Sequence, residues 1–161
     1  MQKRMFNNWV KMKNGEQTIL IIDDQASIRF LLGSFLKNKY RVIGFEDGFS
    51  AMQWLVNANF PDLILLDLDV PRLSGRDFLA QIKKSGYFQD IPVIIISGDH
   101  SPETIDFCNR MGVAAYLTKP FNPVNLNEIV KDIFDATPQE PEIKKDPIKL
   151  LTKLTTRRLR K

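Results

Sequence analysis

The sequence predicts an α/β fold, a doubly wound sheet of five parallel strands in the order 2-1-3-4-5 with helices on both faces. Three observations predict it. Across residues 18–137, short apolar runs alternate about five times with longer amphipathic segments, the pattern of a β/α parallel-sheet domain. Three runs, ILII at 19–22, LILL at 63–66 and VIII at 93–96, are continuously apolar, as strands buried on both faces must be. The other two, YRVIGF at 40–45 and AAYLT at 114–118, keep polar positions and are assigned to the edges. Right-handed crossovers then give the stated order.

In chain order, strand 18–23 carries the first apolar run and ends on the acid pair Asp23-Asp24, and helix 26–38 follows. Strand 40–45 is the first edge, leading into helix 48–57. Strand 62–67 carries the LILL run and ends on Asp67, before helix 75–85. Strand 92–97 ends on Ser97-Gly98, before helix 102–111. Strand 114–118 is the second edge, followed by Lys119-Pro120 and helix 124–136. No internal repeat is present.

The chain has 161 residues, which allows one globular domain with extra chain, and its apolar runs are far shorter than the ~20 residues of a membrane span. No secretory segment precedes them. A single cysteine, Cys108, excludes an internal disulfide, and a cytoplasmic location is expected. The net charge is +4, but it is unevenly spread: the leader 1–17 carries +3, the domain 18–137 carries −4 and the tail 138–161 carries +5. The tail opens as a Pro-containing linker. Asp146 and Pro147 then suit the start of a basic amphipathic helix, too short to be stable alone in water. A direct nucleic-acid contact is not expected, because the tail is too short for a DNA-reading module.

Ligands of open α/β sheets bind at the carboxyl ends of the strands. Asp23, Asp24, Asp67, Ser97 and Lys119 therefore share one rim. Three crowded carboxylates call for a hard divalent cation, and Mg2+ suits them because it takes oxygen ligands and leaves room for a phosphate oxygen. A carboxylate can itself attack phosphorus. Lys119 and the Ser97 hydroxyl would then meet the remaining phosphoryl oxygens.

Four motifs in order, ILIIDD at 19–24, DLILLDLDVPRLSG at 62–75, VIIISG at 93–98 and AAYLTKPF at 114–121, make the chain resemble the receiver domains of two-component response regulators, which have a flavodoxin-like fold. The resemblance implies that Asp67 accepts a phosphoryl group from a phosphohistidine of a sensor histidine kinase or histidine phosphotransfer protein. It implies Mg2+ held by Asp23, Asp24, Asp67 and the backbone carbonyl of Asp69. It also implies that Ser97 and Lys119 sense the phosphoryl oxygens, that Gly98 keeps the approach open and that Tyr116 is an aromatic switch. Lys119-Pro120 is expected to be cis. Homodimer or effector contacts are expected on the face of the fourth helix, fifth strand and fifth helix. Such a protein is a signalling phosphoacceptor that catalyses only its own phosphoryl transfer and dephosphorylation.

Two features depart from the family pattern: Gln25 follows the acid pair, and Asp69 adds a carboxylate best read as a solvated loop charge. His100 reads as a surface residue. The alternative is a haloacid-dehalogenase-like phosphatase, because Asp67-Leu68-Asp69-Val70 fits its D-x-D-x-V motif. Residue order opposes this, since that family has its nucleophile on the first strand. A scaffold that has lost phosphorylation is disfavoured because every functional position is filled.

Overall fold

The computed structural model describes residues 15–136. The expected leader lies almost wholly outside that range, and the linker and C-terminal helix lie wholly outside it. The described residues form β1 (Thr18–Ile22), α1 (Ala26–Leu36), β2 (Arg41–Phe45), α2 (Gly48–Val56), β3 (Leu63–Leu66), α3 (Gly75–Lys84), β4 (Val93–Ser97), α4 (Pro102–Arg110), β5 (Ala115–Thr118) and α5 (Pro123–Ala136). The strands are parallel and lie in the order β2-β1-β3-β4-β5. This is the predicted topology.

Alternation along the strands builds two cores. Leu20 and Ile22 of β1, Ile64 and Leu66 of β3 and Ile95 of β4 point to one face, where Leu55 of α2, Phe78 and Ile82 of α3 and Cys108 of α4 cover them. Ile19, Ile21, Leu63, Leu65 and Ile94 point to the other face, under Leu32 and Leu36 of α1 and Val130 and Phe134 of α5. Every residue of β1, β3 and β4 is buried, whereas β2 and β5 are half-exposed edges. Two covered faces are why the three central runs needed no polar positions.

The element ends differ from expectation by one or two residues, for physical reasons. α1 stops at Leu36 rather than Asn38, because the amides of Lys39 and Tyr40 both turn back to the Leu36 carbonyl. Tyr40 is withdrawn from β2: its ring is buried and packs on Phe134 of α5 at 5.0 Å between centroids. α5 starts one residue early, at Pro123, where the fixed φ of proline suits a first helical turn, and Asn122 accepts the Val124 amide at 2.9 Å as a cap.

Two glycines set how closely the loops of the rim approach. A Cβ on Gly75 would lie 2.2 Å from the Asp67 carbonyl oxygen, so only glycine lets α3 begin against the end of β3. A Cβ on Gly48 would lie 2.2 Å from the Leu73 carbonyl oxygen, which joins the start of α2 to the loop before α3.

Candidate functional site

The site begins where the ladders of β1 and β3 run out. Asp23 follows the last paired residue of β1, and its amide still donates to the Phe45 carbonyl at 3.1 Å. Asp67 follows β3 in the same way, its amide donating to the Ile22 carbonyl at 2.8 Å. Both side chains are therefore carried on backbone the sheet has already fixed, and both residues are buried. Asp24, one residue on, is exposed. Carboxylate oxygens of Asp23, Asp24 and Asp67 lie within 4.8 Å of one another.

Three anions at that spacing repel by about 3 kcal/mol per pair at an effective dielectric near 20. Lys119 answers part of this. Its amide bonds the Ser97 carbonyl at 2.8 Å beyond the end of β5, and its Nζ donates to Asp23 Oδ2 at 2.8 Å and to Asp67 Oδ2 at 2.5 Å. Burial pulls the Lys119 ammonium down, but its bonds to Asp23 and Asp67 outweigh this and raise its pKa above the ordinary lysine value. For Asp23 the balance is reversed: burial raises its carboxyl more than Lys119 and the Gln25 amide lower it. One ammonium thus leaves the cluster short of positive charge. An all-oxygen donor set with an unneutralised charge fits a hard divalent cation.

The loop carrying the acid pair is tied down by a residue that the sequence did not mark. Arg29, on the first turns of α1, donates through Nη1 to the Asp23 carbonyl at 2.7 Å and the Asp24 carbonyl at 3.0 Å. Gln25 caps α1 without a side-chain bond, and its amide is held by Asp23 Oδ1 at 2.9 Å.

Ser97 is fully buried at the end of β4, and its Oγ accepts the Asp99 amide at 3.2 Å. The carbonyl of the same Asp99 accepts the Tyr116 hydroxyl. Ser97 and Tyr116 therefore hold opposite ends of one loop residue. Among the described residues, none besides its two chain neighbours comes within 4 Å of a Cβ built on Gly98, so the space beside it is open. Asp69 is exposed; its amide bonds Asp67 Oδ1 at 3.0 Å, while its side chain is not part of the carboxylate cluster. His100 is exposed, with Nδ1 3.3 Å from the Gly98 carbonyl, and Cys108 is buried, which pushes its thiol pKa up. Lys119-Pro120 is cis, as expected.

With this rim assembled, comparison with known proteins decides the family. Residues 19–131 match the response regulator receiver domain. The chain belongs to that family. It is 32% identical over 129 residues to the response regulator Rcp1 of Synechocystis, a match covering 74% of this chain and 88% of Rcp1. It is 30% identical over 112 residues to the two-component response regulator ORR7 of rice, covering 69% of this chain and about half, 53%, of that relative. A crystal structure of the Mn2+-bound form of Rcp1 matches with a TM-score of 0.65 at 31% identity, covering 78% of this chain and 99% of the other. The phosphorylated cyanobacterial phytochrome response regulator RcpA matches with a TM-score of 0.67 at 32% identity, covering 80% and 100%.

The receiver is thus a two-component signalling domain, and its matches give the phosphatase alternative no support. No helix among the described residues is long and apolar enough to cross a membrane.

Proposed function

We propose that Asp67 accepts a phosphoryl group from a phosphohistidine of a sensor kinase or phosphotransfer protein, in the cytoplasm, with Mg2+ held by Asp23, Asp24, Asp67 and the Asp69 carbonyl. The observation that carries this is the buried pair Asp23 and Asp67 bridged by Lys119, with Asp24 completing a carboxylate cluster. The Mn2+-bound form of Rcp1 and the phosphorylated form of RcpA, both similar to this chain, support it.

In the reaction a carboxylate oxygen of Asp67 forms a bond to phosphorus as the phosphorus–nitrogen bond breaks. The electron pair stays on the departing imidazole, which takes up a proton. Mg2+ supplies neutralisation of the phosphoryl oxygens. Lys119 exchanges its bond to Asp67 for one to a phosphoryl oxygen, and the Ser97 hydroxyl turns toward another. Because Ser97 Oγ also holds the Asp99 amide, that turn pulls on the loop whose carbonyl Tyr116 grips. The signal then reaches a concavity of about 400 Å³ beside Tyr116, bordered by Ile105 of α4, Leu117 of β5 and Phe121. We assign the dimer or effector contact to this face, and keep residues 1–17 and 138–161 as basic segments outside the receiver of 18–137.

The test is labelling with a small phosphoryl donor such as acetyl phosphate. A stoichiometric, acid-stable and base-labile label that needs Mg2+ and vanishes in Asp67→Asn is expected. Multiple-turnover hydrolysis of a generic phosphomonoester would overturn the receiver chemistry in favour of a phosphatase. Sizing with and without beryllofluoride then tests the dimer contact.

A further inference from the structure

Asp67 and α3 are joined by a short loop that forms one wall of the rim, and its backbone is strained at one residue. Arg72 has φ +67, and the Leu73 amide donates to the Pro71 carbonyl at 2.8 Å across it. This pairing of positive φ with an i to i+2 bond belongs to the rare, strained form of the γ-turn, and glycine or asparagine would occupy such a position more cheaply. An arginine there needs compensation.

Three contacts of its side chain provide it. Nη1 donates to Asp47 Oδ2 at 3.2 Å and to Ser50 Oγ at 3.2 Å, and the guanidinium lies 4.5 Å from the centre of the Phe49 ring. The anchor is itself fixed: Asp47 is buried and caps α2, accepting the Ser50 amide at 2.7 Å and the Ser50 hydroxyl at 2.9 Å. The loop is fastened at its other end by the Asp69 amide, which bonds Asp67 Oδ1. A single short segment therefore links the α2 cap to the orientation of the Asp67 carboxylate.

We infer that Arg72 is a positioning residue for divalent-cation binding at the rim, acting by clamping the loop that orients Asp67. This rests on Asp23, Asp24 and Asp67 being the cation site. The sign of the effect separates positioning from charge. Removing a guanidinium takes positive charge away from three carboxylates, which by charge alone tightens cation binding. Loss of positioning weakens it.

The experiment is a calorimetric titration of the full chain with Mn2+, comparing wild type with Arg72→Ala, Arg72→Gly and Arg72→Lys. Arg72→Ala and Arg72→Gly are expected to weaken binding about 5- to 10-fold, at or below the low end of losses on mutating groups that support metal ligands. Arg72→Lys, which keeps the charge without the planar fork, recovers part of it. The glycine variant relieves the strained φ, so it keeps a wild-type thermal midpoint and carries the test should the alanine variant unfold. Unchanged or tighter Mn2+ binding in the folded glycine variant overturns the proposal. Folded wild-type protein that binds no Mn2+ overturns instead the cation site on which it rests.

Discussion

Two arginines four residues apart, Arg72 in the loop before α3 and Arg76 in the first turn of α3, reach different neighbours and make the same three kinds of contact. Arg72 meets the Asp47 carboxylate, the Ser50 hydroxyl and the Phe49 ring at the start of α2. Arg76 meets the Asp99 carboxylate at 3.7 Å, the Thr104 hydroxyl and the Phe107 ring on the side of α4. They differ in what they hold. The Asp47 side chain is 4% exposed and caps a helix, whereas the Asp99 side chain is 38% exposed and belongs to the loop gripped by Ser97 and Tyr116. A rim anchored on a buried carboxylate at one flank and on a partly exposed one at the other can keep its reacting carboxylates in place while the more exposed loop moves. That more exposed flank leads to the half-exposed edge strand β5.

The comparison breaks most visibly at its glycines. Gly48→Ala puts a Cβ 2.2 Å from backbone on the fixed flank, and the clash should cost about 1–3 kcal/mol in denaturant unfolding. Gly98→Ala on the other flank meets no described residue within 4 Å besides its chain neighbours, so its stability should stay within about 0.5 kcal/mol of wild type. Its labelling by a phosphoryl donor should nevertheless slow if the open space serves the approach to Asp67. Equal destabilisation by the two changes would mean that the flanks are equally fixed.

These contrasts also show where sequence carries information. Asp23, Asp67, Ser97 and Lys119 were legible because each closes or follows an apolar run, and strand ends of a parallel sheet converge on one rim. The strand order was legible because two of the five runs keep polar positions. Arg29, Arg72 and Arg76 were not. The partner of an arginine depends on how far apart the surrounding helices stand, and run composition is silent on that spacing. The positive φ at Arg72 was hidden for a related reason: the residue type argues against it, and the contacts to α2 that accompany it do not show in the sequence.

A smaller effect separates the two anchoring carboxylates. Burial pushes the Asp47 carboxyl up, but the Ser50 bonds and Arg72 hold it below the ordinary range. The hydrogen bond from Thr104, with those from Ser101, lowers Asp99 to about 2. Since its folded pKa is depressed, the contribution of Asp99 to stability is complete above its unfolded value of ~3.9 and is lost as pH falls through about 2. Thr104→Val removes the first of its bonds, made at 2.5 Å, so the carboxyl midpoint followed by NMR should rise toward ~3.9. As the folded and unfolded values converge, the stability that Asp99 loses between about pH 4 and pH 2 should shrink toward nothing. A midpoint unmoved in the variant would assign the depression to the Ser101 amide, which bonds the other oxygen at 2.8 Å.

The smallest effect is expected from Arg76→Ala. Its ion pair with Asp99 is long, and the two side chains are 43% and 38% exposed, where such pairs are worth about 0–1 kcal/mol. Losing the arginine orphans no buried group, because the Thr104 hydroxyl keeps Asp99 and Ser101 as partners. Unfolding in denaturant should therefore shift by less than about 1 kcal/mol, and 1 M salt, with its screening length of about 3 Å, should shrink even that difference. A loss above about 2 kcal/mol that survives high salt would place the Arg76 contacts on the same footing as a pair anchored on a buried carboxylate. The α4 flank would then be as firmly held as the α2 flank, and a movement of its loop would have to break Arg76 away from Thr104 before Tyr116 could respond to Ser97.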